Sequence, residues 1–397
     1  MRSLLISFLL LGASAGVQAQ TYSSNTATHQ TTLTAWRTAT GTAYIPNYVN
    51  IIAANAFANA TLTGFAISNV PGLVSPLNGL TNIGQSAFYN CANLASVSLP
   101  TNTIMIGQQA FNGCGNLTSV TIAGAANIGT EAFENCAKLT SLTLSAATNI
   151  GGYAFIACSS LASVTIPTNT VNIGASNQNA FDQCLVMTAI NVAAGNPYYS
   201  SVGGVLFNSN KTVLVECPSG LTGNYVIPST VTNVWTEAFD FCSLTNIDVS
   251  SNVVSVYSSA FANSDTLVRV RFAGNAPAND GANTTFYSDG PVTAYYPAYG
   301  TGWSNTYAGV PTLPWSTALQ LNNLRFPTQT NKVGFTITGP SNFTFVVMAS
   351  TNLMSGNWTP IYTNVLTNTG TTGANYFSET GLSNTYYSGR FYNVITK

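Results

Sequence analysis

An Ala-Phe pair recurs along this chain at a nearly constant interval, and no other feature restricts the fold as much. It stands at Ala87-Phe88, Ala110-Phe111, Ala132-Phe133, Ala154-Phe155, Ala180-Phe181, Ala238-Phe239 and Ala260-Phe261, with a weaker copy at Ala56-Phe57. Phe88, Phe111, Phe133 and Phe155 lie 23, 22 and 22 residues apart, and Phe239 to Phe261 is 22 again. A unit this short cannot bury its own apolar side, so successive units must stack and share one core.

The unit reads as one coil. In residues 83 to 100, IGQSAFYNCANLASVSLP, the half with Leu94, Val97 and Leu99 puts Val97 and Leu99 on one face of a short strand and leaves Ser96 and Ser98 facing out. The other half turns at Gly84, and Ile83, Ala87, Phe88 and Cys91 are spaced to line the inside of a loop or a turn of helix. Stacked strands lie roughly 4.8 Å apart, so the expected fold is mostly β, a solenoid with a parallel sheet on one face. Six of the seven cysteines, Cys91, Cys114, Cys136, Cys158, Cys184 and Cys242, share one place in the unit. Stacking at about 4.8 Å exceeds the Cβ separation near 3.8 Å that a disulfide needs, which predicts a buried thiol ladder.

The array is irregular in two places. Three extra residues before Ala180 predict an outward bulge at Asn177-Gln178-Asn179, and the Phe181 to Phe239 interval lacks a regular unit. That interval holds strand-like runs at Tyr198-Tyr199, Val205-Leu206-Phe207, Val213-Leu214-Val215 and Tyr225-Val226-Ile227, separated by Asn, Gly and Pro, which predicts variant coils rather than a linker.

At residues 83 to 100 and 150 to 167 the chain resembles the BspA-like type of leucine-rich repeat, with the pattern Ile-Gly-x-x-Ala-Phe-x-x-Cys-x-x-Leu-x-x-Val-x-Ile-Pro. The resemblance covers roughly residues 42 to 315 and implies a leucine-rich-repeat solenoid. It further implies a bacterial or protist surface protein, in some members tied to adhesion, with no conserved catalytic set. The sequence departs from the pattern where Cys242 and Leu244 are one residue closer than usual, and where Ser264 replaces the cysteine.

The expected organisation is a signal peptide at 1–19, an N-terminal cap at 20–50, and the solenoid at 51–315. Variant coils fall around 193–228, a terminator occupies 291–315, and a small all-β, sandwich-like domain fills 316–397. The cap contains Leu33, Trp36, Tyr44, Ile45 and Tyr48 among polar residues, and Ile45-Pro46 resembles the Leu99-Pro100 that closes a unit. The last domain is similar to C-terminal β-domains of exported bacterial proteins, which implies a role in attachment or secretion or, equally, a plain structural module. The first residues carry one charge at Arg2, an apolar run from 4 to 11, and small residues at Val17 and Ala19, the layout of a secretory signal. A secreted protein, extracellular or on the cell surface, is the expectation.

Charged residues are only 5% of the chain and the net charge is -1, so the solvent face must consist largely of hydroxyls and amides. Ten basic residues without a cluster argue against nucleic acid, and no later run argues for membrane insertion of the mature chain. A protein or a neutral glycan is the expected partner, and the sequence assigns no oligomeric state. Catalysis finds little support: the one histidine, His29, precedes the array, and no Cys-x-x-Cys or phosphate-binding loop occurs, so no cofactor or metal is implied. The carboxylate pairs Glu131 with Glu134 and Glu237 with Asp240 flank Ala-Phe on the loop side, where polar residues meet water.

Two candidate sites follow. Outward strand positions are Ser96 and Ser98, Ser119 and Thr121, Ser141 and Thr143, Ser163 and Thr165, Ala189 and Asn191, Asn246 and Asp248, and Arg269 and Arg271. Charge thus enters this face only near its end, which makes Arg269, Arg271 and Asp248 the candidate partner-binding residues. The alternative is a polysaccharide-binding accessory protein or exoenzyme component, with a sugar platform at Tyr295, Tyr296, Tyr299 and Trp303; capping of the last coil is the preferred reading of the aromatics in this stretch. Intact-mass measurement of the exported protein is expected to give a chain beginning at Gln20, and a retained 1–19 segment would contradict this reading.

Overall fold

The computed structural model describes residues 20–25, 30–36, 39–68, 79–124, 126–174, 178–279, 281, 284–287, 290–298, 300–315, 320–325, 333–340, 344–350, 359–365, 372–379 and 391–396. The proposed signal segment, Asn177 and Tyr299 lie outside them. The described residues contain strands and turns but no helix, so the second half of each coil is a run of turns.

Each coil contributes two strands. Two-residue strands such as Asn82–Ile83, Met105–Ile106, Asn127–Ile128, Asn149–Ile150 and Asn172–Ile173 pair in parallel and in register, one per coil. Four-residue strands, Ser96–Leu99, Ser119–Ile122 and Ser141–Leu144, do the same on the principal face. Val97, Val120, Leu99 and Ile122 are buried, as alternation requires.

Between the strands the turns hold the Ala-Phe pair. Phe57, Phe88, Phe111, Phe133, Phe155 and Phe181 are fully buried and stack near-parallel, with successive ring centroids 4.7, 4.8, 5.0, 5.1 and 5.5 Å apart. Trp36 of the N-terminal segment closes the column, 5.6 Å from Phe57. Each turn is held by amides that donate forward to the next coil, as Phe88 N does to Ala110 O at 2.7 Å, while strand-side amides donate backward, as Gly107 N does to Ile83 O at 2.8 Å. Close approach explains the glycine column: a Cβ on Gly107 would lie 2.6 Å from Gln85 N. The residue before most of the Ala-Phe pairs is left-handed although it is not glycine, with φ near 55° at Ser86, Gln109, Glu131 and Tyr153, a bend that accompanies the forward-donating amides of the turn; Asn179, before Ala180-Phe181, is the exception.

All seven cysteines are buried free thiols. Along the column each thiol reaches the phenylalanine carbonyl of the preceding coil: Cys114 Sγ to Phe88 O at 3.3 Å, Cys136 to Phe111 O at 3.4 Å, Cys158 to Phe133 O at 3.3 Å. Ser264 occupies the cysteine position and donates to Phe239 O at 2.8 Å, so a hydroxyl fills the same role.

After Phe181 the column breaks. In place of a regular coil, Tyr199–Val202 and Val205–Asn208 form an antiparallel hairpin through Gly203 and Gly204, both at positive φ, and Val213–Glu216 pairs antiparallel with the second strand. This interval is therefore a variant coil built on antiparallel pairing, whereas the expected solenoid is parallel. A second column begins at Phe239 and runs through Phe261 to Phe286, 5.3 and 5.1 Å apart. Phe286 follows Thr285 instead of alanine, which hides this last coil from a search for the Ala-Phe pair.

The break is bridged by carboxyls. Phe181 N, which lacks a next coil's carbonyl, donates to Glu216 Oε1 at 2.9 Å, and Glu216 is buried. The expected bulge is overturned at Asn179: it is buried, and its amide donates to Glu237 O at 2.6 Å, because the shifted second array offers that carbonyl there. Tyr153 OH donates to the Glu237 carboxylate at 3.1 Å, and buried Asp182 and Asp240 stand in the same cluster.

Contacts divide the chain into two units, residues 1–295 with 301–312, and 296–300 with 313–397. The second unit contains two antiparallel three-stranded sheets, the make-up of a small β-sandwich. In one, Val333–Pro340 lies between Gln320–Arg325 and Thr372–Glu379; in the other, Thr344–Ser350 lies between Thr359–Val365 and Phe391–Thr396.

Burial pushes the Glu216 carboxyl up to about 8 and the Asp240 carboxyl up to about 7, and raises Asp182. Ionised in the unfolded chain near pH 4 but neutral in the fold, these groups bind extra protons when folded. Stability is then greatest below that range and falls as pH rises through about 7 to 8. Glu216→Gln, which keeps the acceptor for Phe181 N, is expected to leave the melting temperature near that of the parent at pH 4.5 and to raise it by at least about 3 °C at pH 8.5. An unchanged difference across pH would contradict this. A water-soluble thiol reagent is expected to label few of the seven cysteines before unfolding, and Cys136→Ala to cost about 1 kcal/mol; disulfide-linked peptides in a nonreducing digest would refute the ladder.

Candidate functional site

The principal sheet face is built from side chains that alternation turns outward. Ser96, Ser98, Ser141, Thr143, Ser163 and Thr165 are exposed, Ser119 and Thr121 half-buried, so the early coils present a nearly uncharged hydroxyl surface. The face is not continuous. Three strands, Ser96–Leu99, Ser119–Ile122 and Ser141–Leu144, form one sheet, and Ser163–Ile166 with Ala189–Val192 forms another. A cleft of about 460 Å³ lies where they part, lined by Leu142, Leu144, Ser163, Thr165 and Pro167 among others.

The late coils bring the three candidate partner-binding residues together. Leu244–Val249 and Arg269–Phe272 pair in register, with Asn246 opposite Arg269 and Asp248 opposite Arg271. Arg271 Nη2 donates to Asp248 Oδ2 at 3.0 Å with both side chains partly exposed. Arg269 makes no ion pair among the described residues; its Nε is buried with no hydrogen-bond partner, as is Asp248 Oδ1. The Cys242 to Leu244 shortening falls just before this strand, which is extended to six residues.

The aromatic candidates separate. Thr293–Pro297 pairs with the arginine strand, so Tyr295 stands opposite Arg271 and joins the charged patch. Tyr296, the next residue, is half-buried like Tyr295 and belongs to the second unit. Trp303 is half-buried, 4.9 Å from Phe272 and 5.3 Å from Tyr307, and its indole N–H donates to Gly274 O at 3.1 Å. It covers the end of the second core.

Three of the four carboxylates accept from side-chain amides, and Glu237 accepts from the Tyr153 hydroxyl. Gln109 donates to Glu131 and Asn112 to Glu134, each at 2.6 Å, and Asn263 donates to Asp240 at 2.8 Å. These are rungs between coils. Burial and the neighbouring Glu131 raise Glu134. Among the described residues no group of three or more His, Cys, Asp or Glu is arranged to hold a metal ion. One surface feature escaped the sequence reading: Trp235 and Tyr257, exposed by 43% and 45%, occupy the column that is glycine in earlier coils.

Residues 81–213 and 215–288 match the profile of the BspA type Leucine rich repeat region, in six copies. Comparison with the curated proteins finds no match. Among solved structures the chain is similar to a leucine rich cell surface protein from Faecalibacterium prausnitzii, at 21% identity over 75% of this chain and 93% of that one, with a TM-score of 0.49. It is also similar to a leucine-rich repeat protein from Bacteroides ovatus, at 18% identity over 78% and 80%, TM-score 0.44. The pneumococcal vaccine antigen PcpA is similar at 17% identity over 65% and 74%, TM-score 0.41.

Proposed function

The chain belongs to the BspA-type leucine-rich repeat family, and we propose that it is a non-catalytic, surface-exposed or secreted binding protein that meets a protein partner with its principal sheet face. One observation carries this reading: on a face made mostly of hydroxyls and amides, Arg269 has no ion pair among the described residues and stands beside the Arg271–Asp248 pair. Short serine and threonine side chains let a partner approach the backbone closely but hold little binding energy each. An arginine that is not neutralised at home gains a carboxylate at small cost, since its planar fork binds one through two parallel hydrogen bonds. Tyr295 beside Arg271 adds a ring of the kind enriched at interface hot spots. The recognised feature is therefore an acidic side chain or chain terminus on a protein.

The reading is tested with the mature chain against a panel of immobilised extracellular proteins and glycans. Replacing Arg269 and Arg271 together with serine is expected to weaken the protein ligand more than tenfold with the melting temperature nearly unchanged, whereas Ser119→Ala with Thr121→Ala does much less. Equal and negligible effects would return this face to scaffolding. A glycan ligand lost on changing Trp303 would favour the polysaccharide-binding alternative.

A further inference from the structure

We propose that Cys217 and Cys242 are an oxidation site: in the environment that an exported chain meets, the two thiols join as a disulfide that clamps the variant coil to the second array.

The two sulfurs stand 3.9 Å apart, and both residues are buried, with 3% exposure each. Their approach follows from the place each takes in its coil. Cys217 N donates forward to Ala238 O at 2.7 Å, as Phe88 N does to Ala110 O and Phe239 N to Ala260 O, each at 2.7 Å. Cys217 therefore holds the place that phenylalanine takes in a regular coil, and Glu216 holds that of alanine. Cys242 holds the ordinary cysteine place, after Phe239 as Cys91 is after Phe88. Ladder thiols occupy equivalent places and point the same way, so a strand spacing of about 4.8 Å keeps their Cβ atoms beyond disulfide reach. Cys217 and Cys242 come from different places in neighbouring coils. The strand spacing then sets no lower limit on their separation, and the side chains meet.

The pair also lacks the contact that holds the ladder. Cys91, Cys114, Cys136, Cys158 and Cys184 each donate to the phenylalanine carbonyl of the preceding coil, at 3.1 to 3.4 Å. The equivalent acceptor for Cys242 is the carbonyl of Cys217, but among the described residues its thiol meets the Cys217 sulfur instead. Cys217 has, besides, only a long contact to Pro218 O at 3.9 Å. Oxidation thus costs neither thiol a good hydrogen bond. Bringing the sulfurs from 3.9 Å to a bonded length of about 2.05 Å moves each by roughly 1 Å, which side-chain rotation supplies.

The oxidant is a disulfide, of low molecular weight or carried by an oxidoreductase, the class that acts where exported proteins fold. One cysteine thiolate attacks it, forms a mixed disulfide and releases one thiol. The other cysteine thiolate attacks the first cysteine's sulfur and releases the second thiol. The protein loses two protons and two electrons, and the oxidant takes them up as two thiols. Burial pushes the Cys217 thiol well above its ordinary range, so the closed fold holds little thiolate and exchange takes place as the chain folds or opens. The same burial then shields the bond from reduction. It closes a loop of 25 residues where one column gives way to the next, beside the Glu216 carboxyl that stands in for a missing carbonyl. Cys217 lies outside the ladder, so this crosslink leaves the ladder in place, and only links between ladder thiols contradict it.

The test takes the mature chain after export and equilibration with glutathione disulfide, blocks the remaining thiols in denaturant, and cleaves after glutamate without reductant. Cleavage at Glu216 and Glu237 puts Cys217 and Cys242 on separate peptides. These are expected to be joined, at a mass two hydrogens below their sum, with the other five of the seven cysteines blocked. The oxidised chain should melt at least about 4 °C above the same chain after reduction. Cys217→Ala, or Cys242→Ser, for which Ser264 is the precedent, should melt at one temperature under both conditions. Both cysteines blocked, either one linked to glutathione or to a different cysteine, equal melting of the oxidised and reduced chains, or an undiminished shift in these variants would each overturn the proposal.

Discussion

The spacing of one coil on the next governs this protein. Phenylalanine rings stacked at 4.7 to 5.5 Å, backbone rungs near 2.8 Å and glycines that leave no room for a Cβ all express one repeat distance. Strand pairing fixes that distance at about 4.8 Å, and every other side chain must fit it. The forward-donating turns and backward-donating strands tie each coil to both neighbours, so burial is complete only in the stack. Cysteine suits the inner column because it is small, apolar and still able to donate weakly to a carbonyl; Ser264 shows that the hydrogen bond is part of the requirement.

Where the repeat fails, the chain answers in two ways. At the end of the first column the missing coil would leave Phe181 N unpaired, and the Glu216 carboxyl takes the place of a carbonyl. Burying that group makes the junction sensitive to pH, since an acid without a nearby cation is kept neutral. At Pro167 the chain has no N–H to donate, and the strands on either side belong to separate sheets. One irregularity lies in the core and must be satisfied; the other lies on the solvent face, where water can meet polar groups.

The rest of the surface is shaped by the scarcity of charge. With hydroxyls and amides outside, rungs between coils are made by side-chain amides, as in Asn172 to Asn149 at 2.7 Å and Gln109 to Glu131 at 2.6 Å. Acidic residues beside Ala-Phe are thereby drawn into the scaffold. The arginines at the late end stand out because nothing comparable precedes them along the face.

The period, the inward and outward positions of each strand, the thiol column and the candidacy of Arg269, Arg271 and Asp248 were legible in the sequence, because a solenoid repeats one local environment and alternation converts position into direction. The variant coil was visible as strands, but its antiparallel pairing was not, since strand runs carry no direction. Asn179 could not be placed by counting: whether an inserted residue bulges or plugs a gap depends on what the second array brings opposite it. The same holds for the carboxyl cluster, drawn from positions as distant as Asp182 and Asp240, and for Tyr295, which strand pairing sets opposite Arg271. Pro167 is legible as the last letter of the motif, yet only the pairing of neighbouring coils showed that the sheets part beside it. Local chemistry repeats and can be read from one chain; which groups find partners across coils is decided by the stack.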